Sequence, residues 1–301
     1  MEIRTALALE IGHLKQPVVT SYDIGRLVFQ LYQAKTYKGE KLSRIQKDYP
    51  ERQDYTRLVK MLLRAGVLQE KKTVPNPEVF TVLGTGQPSS GEVACCVDPF
   101  AYVSHLSAME WHGLTDRIPK TLFISSPAPP EWKKFSLERM LKDLGSREAY
   151  AVYRYSSFPH LRRLNLAKIG RETVHRHASL HPGAFIVVRD RRLRVATIGR
   201  TFLDMIREPD LCGGIYHVLD VYLEHAERYL QLVVDVIDQH GTKIEKMRGG
   251  FILEERLGLK HETIGKWAKF AQRGGSRKLY AHNEYSQRFS EKWCLSLNIE
   301  E

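Results

Sequence analysis

The stretch ERQDYTRLVKMLLRAGVLQ, residues 51–69, decides how the first part of the chain folds. Its apolar side chains recur at intervals of three or four residues: Tyr55, Leu58, Leu62 and Ala65. That spacing places them on one face of an α-helix, and glycine, here Gly66, commonly ends a helix. We therefore predict an amphipathic helix over residues 51–65 that packs its apolar face against other elements.

The segments on either side of this helix predict the elements it packs against. Apolar spacing predicts helices over residues 4–14 and 20–34 and strands over residues 67–71 and 79–83. Thr20 or Ser21 can cap the second helix, and the turn VPNPE joins the two strands. Three helices followed by a hairpin are the layout of a winged helix-turn-helix domain, which we place at residues 1–85.

The face of the third helix that lies opposite its apolar side chains is polar and basic. It carries a single stripe of Gln53, Thr56, Arg57, Lys60 and Arg64. Arginine and lysine can contact guanine edges or phosphates, glutamine can read adenine, and threonine can contact a thymine methyl or a phosphate. Lys71 and Lys72 follow where a wing would approach the DNA backbone. The stripe and the wing predict binding to double-stranded DNA, whereas the stripe alone equally fits a solvated helix face.

The segment between the second and third helices is longer than the turn of a simple helix-turn-helix. Its sequence, KTYKGEKLSRIQKDYP, carries Lys41, Arg44 and Lys47 at intervals of three. Residues 40–48 could therefore form an additional helix whose basic side chains grip phosphate. This leaves open which helix would enter the DNA groove.

A stretch rich in Gly, Pro, Ser and Thr, TVLGTGQPSSGEV (residues 81–93), separates this domain from the rest of the chain. Beyond it we predict a larger α+β domain over residues 91–301. Predicted helices cover residues 99–112, 134–144, 214–228, 229–239, 242–257 and 261–272. Predicted strands cover residues 120–125, 149–156 and 276–281, and residues 184–208 predict two strands that turn at Asp190 before a helix opens near Ile198.

Composition places the chain among soluble globular proteins of the cytoplasm. No apolar run approaches the roughly 20 residues that span a bilayer, and the first residues contain no apolar signal-peptide core. The four cysteines, Cys95, Cys96, Cys212 and Cys294, form no C-x-x-C pair and predict buried free thiols. The net charge of +11 is regional: residues 160–207 carry 11 basic against 3 acidic side chains, and residues 208–242 carry 1 against 7. The basic segments favour a polyanionic partner.

The sequence of the second domain predicts no catalytic, metal or cofactor site. His105 and His112 lie two helical turns apart, too far to share a metal. The His-x-His pair within HRHASLH (residues 175–181) lacks a neighbouring cysteine or carboxylate that would complete a metal site. The acidic residues of DVIDQHGTKIEKM (residues 235–247) do not have the spacing of a metal-dependent nuclease. Arg200 and Asp204 predict an ion pair between successive turns of one helix.

Three motifs resemble the AbiEi family, the antitoxins of type IV (AbiE-type) toxin–antitoxin systems. They are YVSHLSAMEWHGLTDRIPKTLFISSP, RLRVATIGRTFLDMIREPDLCGG and GGSRKLYAHNEYSQRFSEKWCLSLNI, at residues 102–127, 192–214 and 274–299. The resemblance covers nearly the whole chain, although the segment before the third helix is longer than in the shortest family members.

The resemblance implies a bifunctional protein that is not an enzyme. A winged helix would bind inverted repeats in the promoter of its own operon, with Thr56, Arg57, Lys60 and Arg64 at recognition-helix positions and Lys71 and Lys72 in the wing. The C-terminal domain would counteract a nucleotidyltransferase-like toxin. Two alternatives stay open: a transcriptional regulator whose C-terminal domain senses a ligand or dimerises without a toxin partner, and a DNA-directed nuclease or nucleotidyltransferase.

Overall fold

The chain folds as a mixed α and β protein. The structure, a computed structural model, describes residues 1–43, 45–70, 73–84, 86–272 and 277–300. Within these residues it has twelve α-helices and thirteen β-strands. The mixed class agrees with the α+β expectation.

The elements of the first 97 residues alternate helices with short strands. They are α1 (Ile3–His13), β1 (Val18–Thr20), α2 (Ser21–Ala34), β2 (Thr36–Tyr37), β3 (Glu40–Lys41), α3 (Arg52–Arg64), β4 (Leu68–Glu70), β5 (Val79–Val82) and α4 (Ser90–Val97). The next elements are β6 (Tyr102–Val103), α5 (His105–Trp111), β7 (Thr121–Pro127), α6 (Pro129–Leu144), α7 (Arg147–Tyr155), β8 (Lys168–Ile169), β9 (Glu172–Ser179), β10 (Phe185–Val187) and β11 (Arg194–Ala196).

The last third of the chain is mainly helical. Its α-helices are α8 (Ile198–Arg207), α9 (Ile215–His225), α10 (Leu230–His240), α11 (Lys243–Gly250) and α12 (Glu262–Trp267). Two 3₁₀ turns, Pro209–Cys212 and Ala268–Phe270, and a π-helical segment, Phe251–Arg256, adjoin them. The short strands β12 (Phe289–Ser290) and β13 (Leu295–Ser296) follow.

The strands form four sheets among the described residues. A three-stranded antiparallel sheet has the order β1-β5-β4, with Val19 opposite Phe80 and Leu68 opposite Val82. The pairs β2-β3 and β12-β13 are separate hairpins. The remaining strands have the order β10-β11-β6-β7-β9-β8, in which β11 runs parallel to β6 and β8 antiparallel to β9.

Local sequence signals explain where α2 and α3 begin and end. Thr20 caps α2, because its hydroxyl accepts from the Asp23 amide at 3.2 Å while the Asp23 carboxylate accepts from the Thr20 amide at 2.8 Å. Of the two cap residues expected, Thr20 is therefore the one used. Helix α3 ends before Gly66, whose φ of +68° lies in the left-handed region that favours glycine. The predicted helices 4–14, 20–34 and 51–65 and the predicted strand pair are confirmed to within a few residues.

Several element predictions were wrong. Residues 149–156 form most of helix α7 rather than a strand, because Ser146 caps a helix there and Ala149 and Tyr153 share its buried face. The described residues of 40–48 hold no helix, since the chain forms the β2–β3 hairpin and then an irregular segment. The helix expected from residue 99 begins only at His105. Lys278 makes only an isolated bridge to Ser296 where a strand was expected at 276–281, of which residue 276 lies outside the described residues.

The chain divides into two compact units with separate hydrophobic cores. The first comprises residues 1–102, 124–180 and 187–194, and the second comprises residues 103–123, 181–186 and 195–301. In the first core, α1, α2 and α3 pack with α6 and α7, and Phe29 meets the Tyr153 ring edge-on at 5.3 Å. In the second core, buried side chains of α8 to α12 form one cluster with Trp267 and Trp293. The predicted domains, residues 1–85 and 91–301, are ranges expected to fold independently. That expectation stays a prediction.

Candidate nucleic-acid interface

Helix α3 presents every residue of the predicted basic stripe to solvent. Gln53, Thr56, Arg57, Lys60 and Arg64 are all exposed. On the opposite face Tyr55, Leu58, Val59 and Leu62 are buried in the core of the first unit. The amphipathic pattern therefore sets the rotation of the helix, because burying the apolar face leaves the polar stripe outside.

Most of the stripe is free to bind a ligand. Among the described residues, Gln53, Lys60 and Arg64 have neither a hydrogen-bond nor an ion-pair partner. Arg57 lies 3.4 Å from a carboxylate oxygen of Asp54, and the Thr56 hydroxyl donates to the Arg52 carbonyl at 3.0 Å. An exposed pair such as Arg57–Asp54 stabilises a protein by only about 0–1 kcal/mol, so a stronger anion could replace Asp54 at little cost.

Arg52 is a further cation on this surface that the sequence analysis did not select. It lines the same shallow concavity as the stripe, together with Met61. Its guanidinium stacks over the Tyr55 ring at 5.1 Å and donates to the Ser157 carbonyl at 3.2 Å. The contact between Arg52 and Tyr55 could have been predicted from the sequence, since the two residues are three apart on one helix. The contact with Ser157 depends on the fold.

The second basic group does not form the predicted helical stripe. Lys41 is exposed at the end of β3, and Lys47 is exposed in the irregular segment that follows. A spacing of three aligns side chains only on a helix, so the expected helical alignment of this group was wrong. Lys47 lies 2.7 Å from Glu51, which raises the pKa of the lysine through a hydrogen bond and places a negative charge beside it. Arg44, Lys71 and Lys72 lie outside the described residues.

A polar cavity of about 200 Å³ lies elsewhere in the first unit. Its carboxylates are held by the protein's own donors: Thr20 donates to Asp23, and Tyr22 and Arg139 donate to Asp143 at 2.9 Å. Burial raises the pKa of Asp23, although the hydrogen bonds from Thr20 partly oppose that effect. Asp23 therefore belongs to the cap of α2, and the Tyr22–Asp143 bond joins α2 to α6.

The histidines of residues 102–127 make structural contacts within the second unit. His105 is buried, and its Nδ1 lies 2.8 Å from the Ser104 hydroxyl. His112 places Nε2 at 2.7 Å from the Ala196 carbonyl, to which it donates. Burial lowers the pKa of His112, which favours the neutral ring. The helix that carries these histidines is thereby joined to β11.

Four other charged residues considered for chemistry pair with side chains of the second unit. The predicted Arg200–Asp204 pair is confirmed at 2.7 Å, with both side chains 3% exposed. Asp238 accepts a hydrogen bond from Trp267 at 2.8 Å, and Glu245 pairs with Arg207 at 2.8 Å. Within the described ranges, no three or more His, Cys, Asp or Glu residues are grouped so as to hold a metal ion.

No family model and no curated protein matches the chain. Across the part of the chain that the structure describes, no helix is both long and apolar enough to cross a membrane.

Proposed function

We propose that the protein binds double-stranded DNA through α3 and represses its own operon, and that it acts as the antitoxin of an AbiE-type system. The observation that carries the DNA-binding part is the solvent-facing stripe on α3, since its exposed polar and basic side chains lie on a helix whose other face is locked into a core.

The elements around α3 support a winged-helix assignment. Three helices and a three-stranded sheet occur in the order α1, β1, α2, α3, β4 and β5. Strands β4 and β5 are joined by residues 71–78, the position of a wing, which carries Lys71 and Lys72. The β2–β3 hairpin lies between the second and third helices, and in this proposal α3 is the helix that enters the groove.

The size and charge of α3 suit the DNA major groove. A helix with its side chains is about 10–12 Å across, and the groove is about 12 Å wide. Helix α3 carries four basic side chains and one acidic side chain. In the proposed complex Arg57 leaves Asp54 for a base edge or a phosphate, Gln53 and Lys60 read base edges, and Arg64 contacts phosphate.

The antitoxin part rests on the family resemblance of three motifs. In this proposal the motif residues His112, Arg200 and Asp204 build a scaffold, as their contacts with the backbone and with each other suggest. The second unit then acts against a nucleotidyltransferase-like toxin by binding rather than by catalysis.

A binding experiment tests the DNA-binding part. We expect the full chain to bind the DNA upstream of its own gene more tightly than a scrambled sequence. The double variant Arg57→Gln/Lys60→Gln should lose at least about tenfold in affinity and most of that preference, because each good base contact contributes about 1–3 kcal/mol of discrimination. The matched control, Lys133→Gln/Lys134→Gln, removes the same charge from exposed positions on α6. Equal affinities of wild type and the α3 variant would contradict the assignment of α3.

A growth experiment tests the antitoxin part separately. The adjacent gene is expressed alone and together with this protein, and growth is measured. Growth arrest that the wild-type protein relieves supports the proposal. If the adjacent gene causes no arrest, or if arrest persists beside a protein that binds its promoter, the antitoxin part is wrong while the DNA-binding part stands.

A further inference from the structure

The loop after α7 is fastened to the N-terminal end of α3. Arg52 donates to the Ser157 carbonyl at 3.2 Å, and the Phe158 ring meets Tyr55 edge-on at 5.8 Å. Phe158 is buried in the same core as α3. The loop therefore keeps a defined position beside the first turn of α3.

Hydrogen bonds within the loop hold its shape. The Ser157 amide donates to the Arg154 carbonyl at 3.1 Å, and Ser157 has a φ of +56° that ends α7. The Tyr153 hydroxyl donates to the Pro159 carbonyl at 2.7 Å. Because the Ser157 amide and the Pro159 carbonyl are both bonded back to α7, the turn over residues 157–159 has a defined shape.

Two exposed cations and an exposed aromatic ring lie on either side of this turn, and the Arg154 guanidinium lies over the Tyr150 ring at 6.0 Å. Arg154 and Arg162 are exposed, and no carboxylate of the described residues pairs with either of them. Both lie near His160, whose pKa is lowered by burial and, in addition, by these two positive charges. Tyr155 is 92% exposed, so its ring adds almost nothing to the core.

A chain of contacts connects Arg154 to the first turn of α3. Arg154 lies in the last turn of α7, the Ser157 amide donates to its carbonyl at 3.1 Å, and the Arg52 side chain joins Ser157 to α3. A helix in the major groove, which is about 12 Å wide, has phosphates on either side of it. Basic side chains carried next to the first turn of a groove-bound helix can therefore pair with those phosphates.

We propose that Arg154, Tyr155 and Arg162 form a second DNA contact, which grips the phosphate backbone beside the groove that α3 enters. The two guanidiniums pair with phosphates, and the tyrosine hydroxyl donates to a phosphate oxygen. This contact rests on the proposed function, and it extends the DNA-binding surface beyond α3 and the wing. It also gives a role to part of the basic segment 160–207.

The salt dependence of binding by the full-length protein tests this contact. Each phosphate contact adds about 0.9 to the slope of log affinity against log salt concentration, so Arg154→Gln/Arg162→Gln should lower the slope by about 1.8. Between 50 and 200 mM salt, wild type should therefore lose about 12-fold more affinity than this variant. The loss should be equal on operator and scrambled DNA, because phosphate contacts carry no sequence information. Tyr155→Phe should weaken binding to both DNAs by a few fold.

Three outcomes distinguish this contact from the function on which it rests. The second contact alone would be overturned if Arg154→Gln/Arg162→Gln had the same salt slope as wild type while Arg57→Gln/Lys60→Gln lost specificity. An equal fall in slope for the control Lys133→Gln/Lys134→Gln would also overturn it, since the effect would then be one of net charge. A wild-type protein that binds neither DNA would overturn both proposals. Far-ultraviolet circular dichroism of each variant confirms that the exposed substitutions leave the fold intact.

Discussion

Gly199→Ala should destabilise the second unit, although alanine is the better helix former. Gly199 lies in α8, where a Cβ atom would come 2.2 Å from the Leu232 carbonyl oxygen and 2.8 Å from a methyl of Val236, both in α10. Real Cβ atoms essentially never approach closer than 3.0 Å. The obstacle is backbone, so it cannot be relieved by turning a side chain, and α8 and α10 must separate by about 1 Å.

The magnitude follows from two opposing effects. Replacing glycine by alanine inside a helix stabilises it by up to about 1 kcal/mol. Forcing extra volume into a packed contact costs about 1–3 kcal/mol and sometimes more, and a backbone clash lies at the upper end. We expect a net loss of about 2 kcal/mol, which corresponds to a Tm lower by about 4–8 °C.

Urea denaturation, monitored by circular dichroism, measures this loss in the free energy of unfolding. The matched control is Gly265→Ala in α12, where an added Cβ has no atom within 4 Å. That variant should be as stable as wild type or more stable by up to about 1 kcal/mol. If Gly199→Ala proved as stable as Gly265→Ala, the close approach of α8 and α10 would be wrong.

Two charge pairs give further predictions. Removing either partner of the buried Arg200–Asp204 pair should cost about 3–5 kcal/mol, because the other charge stays buried, whereas Arg200→Met/Asp204→Leu should cost less than either Arg200→Ala or Asp204→Ala. Denaturation of the three variants checks this, and a double variant less stable than either single variant would refute it. Arg191 lies 2.9 Å from Glu92 and, through its hydrogen bond, lowers the pKa of that carboxyl to about 2 from a usual 4.5. Because the folded-state pKa is the lower one, the pair stabilises the protein fully above about pH 5 and loses this effect as the pH falls towards 2. Arg191→Gln should therefore cost about 1 kcal/mol at pH 6 and almost nothing near pH 2, and a difference that does not shrink on acidification would contradict the assignment.

Local patterns were sufficient to predict the helix that carries the candidate site. Tyr55, Leu58 and Leu62 specify the buried face of α3, and every polar residue opposite them is exposed. Burial of apolar area sets the rotation of such a helix, and that information lies within about a dozen consecutive residues. The Arg200–Asp204 pair was predictable for the same reason, since its partners are one turn apart.

Local patterns failed where neighbours distant in sequence decide the structure. The aromatic side chains and Val152 of residues 149–156 suit a strand, yet residues 149–155 belong to α7, whose buried face carries Ala149 and Tyr153 and packs Tyr153 against Phe29 in the first core. Lys41 and Lys47 have a helical spacing but no helix to align them.

The sequence by itself therefore determined the basic face of α3, and only the tertiary structure decided what lies beside it. Arg154 is about a hundred residues from α3 in the chain, and no periodicity connects the two. Arg52 and Ser157 come together because Tyr55 and Phe158 share one apolar core. Burial of these rings is non-directional and acts between any apolar surfaces that the fold brings together. Burial of apolar surface thus determines which face of α3 is exposed, from residues within the helix. It also determines which segments lie next to α3, from residues far away in the chain.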